Sequence, residues 1–336
     1  MNKGHIGHSS TIFNNSIYFT MRDVNIIGRI DIKTGITNYL IGPDEESAYK
    51  TDLYGGICVT ENEVILCPYN ANHLWIYTRT DHNWTKYDIP WHGMGDHAYQ
   101  FTGAFLKDNK VFMMGDHALD IYVFDLQLRE GKYILKEKKQ LWGGSYALWD
   151  NKLAVGISYT NNYLLLDLET YEQKTESISD IGRIAGIQYD DGKLWFVPRN
   201  CENGRIVVTD LSGNIINSYV LNNGGEVLGG LKTGNAMYVY GVAMPTYKLN
   251  VDTALVSRID SKFFMTSGND NNSKLATTFD GMILAFGRDT HKFEIKIDNN
   301  VMDEYIGLCK QYNGNDYAIM HEDGFMDLNY FIKLLN

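Results

Sequence analysis

The 336-residue sequence predicts an all-β fold, a β-propeller of seven or eight four-stranded blades. Three observations lead there. Apolar hairpins recur about every 42–47 residues, the length of one propeller blade. The turn inside each hairpin is built from Asn, Asp and Gly, as in NNS, KDNK, WDNK and DDGK. These residues tolerate the left-handed backbone that tight hairpins require. A small residue also recurs at one fixed phase of the repeat.

The second strands of the hairpins begin at Ile17, Val64, Val111, Leu153, Leu194, Met237, Ile283 and Tyr317. Eight residues before these marks stand Ser9, Gly56, Gly103, Ser145, Gly186, Gly229, Leu275 and Cys309. Six of the eight are Gly or Ser, as crowding of innermost strands around a central channel demands. Shorter turns shift the last two toward Ala276 and Gly307. Third strands follow, such as IIGRIDI, HLWIYTR, YLLLDLE, ALVSRID and KFEIKID. Several end in Asp before a turn, as in DIKTG at 31–35 and DLSG at 210–213. Fourth strands such as WTKYDI and NIINSYVL are more polar, which suits an outer edge in water.

Segments 42–53, 88–99, 243–252 and 266–273 break the pattern and read as surface loops. Residues 1–336 therefore read as one domain. The final segment has Leu328, Phe331, Ile332 and Leu335 on one helical face behind Asp327, so a short closing helix or a strand is expected. The eighth hairpin either starts an eighth, truncated blade or completes the seventh.

Composition narrows the function. A net charge of −11 with no basic stripe argues against nucleic acid and against anionic membranes. No apolar run reaches membrane-spanning length, and MNKGHIGHSS carries no signal-peptide core. Cys58, Cys67, Cys201 and Cys309 show no CxxC spacing, which suits reduced thiols. A cytoplasmic protein is expected, or a secreted one whose leader has been trimmed.

Two phrases, IYFTMRDVNIIGRIDIKTGITNY (17–39) and KLWFVPRNCENGRIVVTDLSGNI (193–215), resemble repeats of the virginiamycin B lyase-like seven-bladed propellers. The recurring unit there is LWFT, a polar tip, GRID, a turn and a polar strand. The resemblance is clear over these two repeats and weaker over the others. It implies the propeller fold. For the lyases of that family it also implies a metal held near the channel by His and Glu. No His or Glu of this sequence matches those positions residue by residue, and the two best repeats contain no His.

In a propeller, the loop after the second strand and the loop entering the first strand open on the same face. The tips there carry Arg22 and Asp23, Tyr69 and Asn70, Asp116 and His117, Ser158 and Tyr159, Arg199 and Asn200, Arg288 and Asp289, and Glu322 and Asp323. Convergent polar groups around a concave mouth describe a ligand site. Guanidinium forks suit carboxylate or phosphate, and aromatic faces beside Asn, Asp and Arg suit sugars and peptides. Arg–Asp pairs that merely stitch neighbouring blades are the competing reading.

The expected ligand-binding set is Arg22, Asp23, Tyr69, Asn70, Asp116, Tyr159, Arg199, Asn200, Arg288, Asp289 and Glu322, for a small polar ligand, glycan or peptide. GDHA occurs at 95–98 and 115–118, so Asp96, His97, Asp116 and His117 are candidate ligands of a divalent metal ion. Should the protein be a metal-dependent lyase or hydrolase, His117 and His321 are its candidate catalytic groups. No GxSxG, HExxH or P-loop is present. A protein-interaction scaffold is the third reading.

Overall fold

A computed structural model describes residues 6–47, 50–93, 101–115, 119–200, 204–221, 225–241, 244–267, 274–278, 282–286, 290–294 and 323–327. Seven antiparallel sheets stand around one axis, so the blade count is seven. Blade 1 runs Ile6–Phe13, Ser16–Met21, Ile26–Asp31 and Thr37–Ile41. Blade 2 spans Tyr54–Val59 to Asn83–Tyr87, blade 3 Phe101–Lys107 to Glu130–Tyr133, and blade 4 Leu141–Trp149 to Gln173–Ser177. Blade 5 spans Ile184–Asp190 to Ile215–Leu221, blade 6 Gly229–Thr233 to Val256–Arg258, and blade 7 Phe263–Ser267 to Thr290–Glu294. The inner strand of blade 7 lies against that of blade 1 and closes the ring.

The turn chemistry expected from sequence is present. Asn14 and Asn15, Asp108 and Asn109, and Asp191 and Gly192 all take positive φ between paired strands. Second and third strands lie between neighbouring blades and are mostly apolar, as in the fully buried EVILCP. Fourth strands meet water, as in the mostly exposed IINSYVL. The core is a set of slabs between blades. Cys58, Ile65, Cys67 and Ile76 of blade 2 pack with Val111, Met113 and Phe124 of blade 3. Trp149 and Tyr189 stack at 5.7 Å between blades 4 and 5.

Polar stitches join neighbouring blades on the face opposite the polar tips. Arg129 pairs with Glu63, and the Lys107 ammonium donates to the Asp150 carbonyl. Lys232, 3% exposed, reaches Asp190 at 2.7 Å and lies 4.9 Å from the Trp195 ring centroid.

Two expectations need correction. Segment 243–252 is no loop, since Met244–Asn250 is the third strand of blade 6. Pro245 hid it, because proline cannot donate to a ladder; it sits where the pairing slips between Val239 and Gly241. Val256–Arg258 is accordingly the fourth strand and only three residues long, which shortens the repeat. The phase of blade 7 consequently moves. Ile283 lies on its third strand, and segment 266–273 begins inside the inner strand Phe263–Ser267. Thr266, not Ala276, faces the channel, and Leu275 and Ala276 are core.

The closing segment takes the strand alternative where it is described. Met326–Asp327 is a strand that pairs with Tyr39 and Asn38 and adds a fifth strand to the outer edge of blade 1. Phe325, 0% exposed, fills the slot between blades 1 and 2 beside Tyr18 and Trp75. Arg29 and Arg79 both reach Asp323, and Arg29 also lies 4.6 Å from the Phe325 ring centroid. The eighth hairpin at 309–317 and the residues from Leu328 onward lie outside the described residues.

Candidate functional site

Small residues make the channel. Ser9, Gly56, Gly103, Ser145, Gln188 and Thr266 line a narrow waist of about 30 Å³. A Cβ on Gly56 would stand 2.4 Å from that of Ala104, and one on Gly103 would stand 2.0 Å from the Gly143 carbonyl oxygen. Ser145 accepts a hydrogen bond from Gln188 Nε2 at 3.2 Å. Room for chemistry lies at the mouth.

Among the described residues, two groups of tips stand at the mouth. On the side of blades 1 and 2, the tips are tied into their own loops. Arg22 Nε lies 3.3 Å from Asp52, and the Asp52 amide donates to the Arg22 carbonyl. Asp23 is exposed beside it. The Tyr69 and Asn70 amides donate to Leu53, while Asn70 Nδ2 donates to Thr51. Beneath them Glu46, 4% exposed, accepts from the Asn72 amide, Asn72 Nδ2 and Trp75 Nε1. Burial and the Glu46 charge hold the Tyr54 phenol well above its ordinary pKa, though Tyr54 also donates to Asn25.

On the side of blades 4, 5 and 6 there is open space. Asp180, Ile181, Gly182, Arg183, Arg199, Asn200, Gly204 and Glu226 line a cleft of about 660 Å³. Arg199, on the tip between the second and third strands of blade 5, sits 4.0 Å from the Trp142 ring centroid. Its guanidinium pairs with Glu226 at 2.8 Å, and its side chain is only 16% exposed. Trp142 starts the inner strand of blade 4 and donates through Nε1 to the Leu228 carbonyl of the loop into blade 6, so it bridges three blades. The backbone is pinned as well. The Arg199 amide donates to the Arg183 carbonyl, and the Val227 amide donates to the Arg199 carbonyl. Asn200 bridges to Glu226.

Arg183 lines this cleft, and Tyr159 stands beside Arg183. Tyr159, at φ +64 and 63% exposed, holds its ring out from the blade 4 tip. The exposed Arg183 guanidinium lies 5.9 Å from that ring centroid. A bulky residue at positive φ stores strain, a feature that gathers at functional positions.

A further polar pair sits in blade 3. His92 Nδ1 is 3.3 Å from the buried Asp120, which also accepts the Ile121 and Leu135 amides. Burial raises the Asp120 pKa against those three partners. The His92 ring packs 4.5 Å from Tyr133, on the outermost strand and away from the channel.

The structure thus brings Arg199 and Asn200 to one cleft, with Tyr159 beside its Arg183, and sets Arg22, Asp23, Tyr69 and Asn70 across the mouth from it. Asp96, His97, Asp116, His117, Arg288, Asp289, His321 and Glu322 lie outside the described residues. Among the described residues, no three His, Cys, Asp or Glu side chains converge closely enough to share a metal ion. Sequence reasoning missed Trp142, Arg183 and Glu226. Its tip pairs were counted forward from second strands, and of the loops entering inner strands it singled out only the GDHA at 95–98 for named ligands, whereas these three lie just before or near the start of other inner strands on the same face.

The chain is a seven-bladed β-propeller with a cleft at one mouth. Solved structures with the same architecture include virginiamycin B lyase from Staphylococcus aureus, captured as a catalytically inactive variant with quinupristin. That comparison gives a TM-score of 0.64 and 15% identity, over 84% of this chain and 94% of that one. Streptogramin B lyase matches at a TM-score of 0.57 and 16% identity, over 84% and 90% of the two chains. The computationally designed Ika8 protein matches at 0.56 and 13%, over 86% and 87%. At such identities the likeness is one of fold. No protein-family model matches the sequence, and neither does any curated protein.

Proposed function

We propose that this propeller binds a polar ligand, a glycan or a peptide-like molecule, in the cleft between blades 4, 5 and 6. The observation that carries the reading is the cleft itself. It offers about 660 Å³ where the channel waist offers about 30 Å³, and its walls include guanidinium, carboxylate and amide groups on pinned backbone. That volume falls within the range of small-ligand sites. The arrangement supplies hydrogen-bonding groups in both senses: Arg183 and Asn200 donate, while Asp180 and Asn200 accept. Screening the labelled protein on glycan and peptide arrays tests the reading. Retention of a defined set, lost on Asn200→Ala combined with Tyr159→Ala, is expected. No retention, or retention indifferent to these changes, would refute it.

A second reading is a metal-assisted lyase at the same face. The similarity to virginiamycin B lyase over 94% of that protein favours it. His117 and His321, with Asp96, His97 and Asp116 as metal ligands, are its proposed groups. Incubation with quinupristin followed by mass analysis, alongside metal analysis of the purified protein, separates the two. Consumption of quinupristin that stops on His117→Ala supports the lyase; unchanged quinupristin with no co-purified metal refutes it.

A further inference from the structure

The two arginines of the cleft are not equivalent. Arg199 is already neutralised by Glu226 and packed on Trp142. Arg183 is exposed, and no carboxylate of a described residue pairs with it; its contact is the Tyr159 ring. Its position is nonetheless fixed. The Arg183 carbonyl accepts the Arg199 amide at 2.7 Å, and the next amide, of Ile184, donates to Thr160 in the tip that carries Tyr159. One guanidinium in the cleft and one aromatic face next to it thus stand on a backbone that does not have to reorganise.

We propose that Arg183 and Tyr159 form a receptor for a carboxylate that stands next to a planar or apolar group. This deepens the binding reading above and rests on it. A guanidinium fork matches the two oxygens of a carboxylate, and the adjoining ring gives the neighbouring group a flat wall. A dianion such as a phosphate monoester fits less well. Only one cation is uncommitted among the described lining residues, Asp180 and Glu226 line the same cleft, and the chain carries a net charge of −11. A single negative charge is what the site can balance.

The test uses three small probes on the intact chain: N-acetyltyrosine, N-acetyltyrosinamide and phenyl phosphate, titrated by calorimetry. N-acetyltyrosine is expected to bind at least about tenfold more tightly than the amide, the scale of one charge-assisted contact. Arg183→Gln should erase that difference, Tyr159→Ala should weaken acid and amide together, and Arg205→Gln on the outer part of blade 5 should change neither. Both Arg183 and Arg205 are exposed, so the variants are expected to melt like the parent. Equal affinity for acid and amide, tighter binding of phenyl phosphate, persistence of the preference in Arg183→Gln, or no saturable binding of either tyrosine derivative would each overturn the carboxylate receptor. None of these results touches the array experiment, which decides separately whether the cleft binds anything.

Discussion

Arg199 places its guanidinium 4.0 Å from the Trp142 ring centroid, and Glu226 holds it there. The tip of blade 5 is thereby anchored to blade 4 on one side and blade 6 on the other. Arg199→Ala removes a cation–π contact worth about 0.5–2 kcal/mol. The ion pair adds less, since Glu226 is 67% exposed and solvent screens it. Urea unfolding should show a loss of about 1–2 kcal/mol for Arg199→Ala and clearly less for Glu226→Gln. Equal losses would mean that the ion pair, not the stacking, holds the tip.

The channel glycines admit no side chain. Gly103→Ala would drive its Cβ into the Gly143 backbone, which cannot swing aside as a side-chain tip would. A loss of about 1–3 kcal/mol is expected, typical of overpacking. Gly192→Ala tests a different cost. No atom lies near, but φ is +70, so strain alone should cost roughly 1 kcal/mol. Melting curves of the two variants should rank in that order.

Acid should weaken the fold in a defined window. Asp31, Asp125, Asp167 and Asp210 each end a third strand and accept backbone amides of the following turn. The Thr34 amide chiefly lowers the pKa of Asp31, the Leu128 amide that of Asp125, the Lys152 ammonium that of Asp167 and Asn214 that of Asp210. Folded values below the ordinary 3.8 mean that the unfolded chain takes up protons first as pH falls. The stability these groups give is whole above about pH 4 to 5 and drains away through their lowered values. The melting temperature should stay level from pH 7 to 5 and drop below 4. Replacing all four with Asn, which keeps an acceptor oxygen, should flatten that drop; an unchanged acid limb would assign it to other carboxylates.

Asp323 and Phe325 clasp blades 1 and 2. Phe325→Ala should cost about 3–5 kcal/mol, the usual toll for emptying a fully buried aromatic site. Asp323→Asn leaves Arg29 and Arg79, 16% and 14% exposed, facing each other without a counter-charge. It should lower stability more at low salt than at high salt. Salt-independent loss would show that shape, not charge, is what Asp323 provides.

Most of the ring was legible because its causes are local. Asn14, Asp108 and Asp191 mark turns by their own backbone preference, and Gly56 and Gly103 mark the channel because nothing larger fits. Legibility failed where two buried strands look alike. MILAF on the third strand of blade 7 reads like a second strand, and Pro245 disguised a real strand as a loop. The cleft was half legible. Arg199 and Tyr159 follow strands at a countable distance, but the partnership of Arg199 with Trp142 and Glu226 joins residues 57 and 27 positions away and is visible only in space.

The clasp also sets an order of events during synthesis. Blades 1 and 2 are translated first, yet the aromatic side chain that seals the slot between them, Phe325, comes more than two hundred residues later. At about 5–20 residues per second, a nascent chain carries that slot open for roughly 10–50 s. Ribosome-bound chains are therefore the form of this protein most exposed to sticking to one another, and a chaperone that met them would meet the groove between the first two blades.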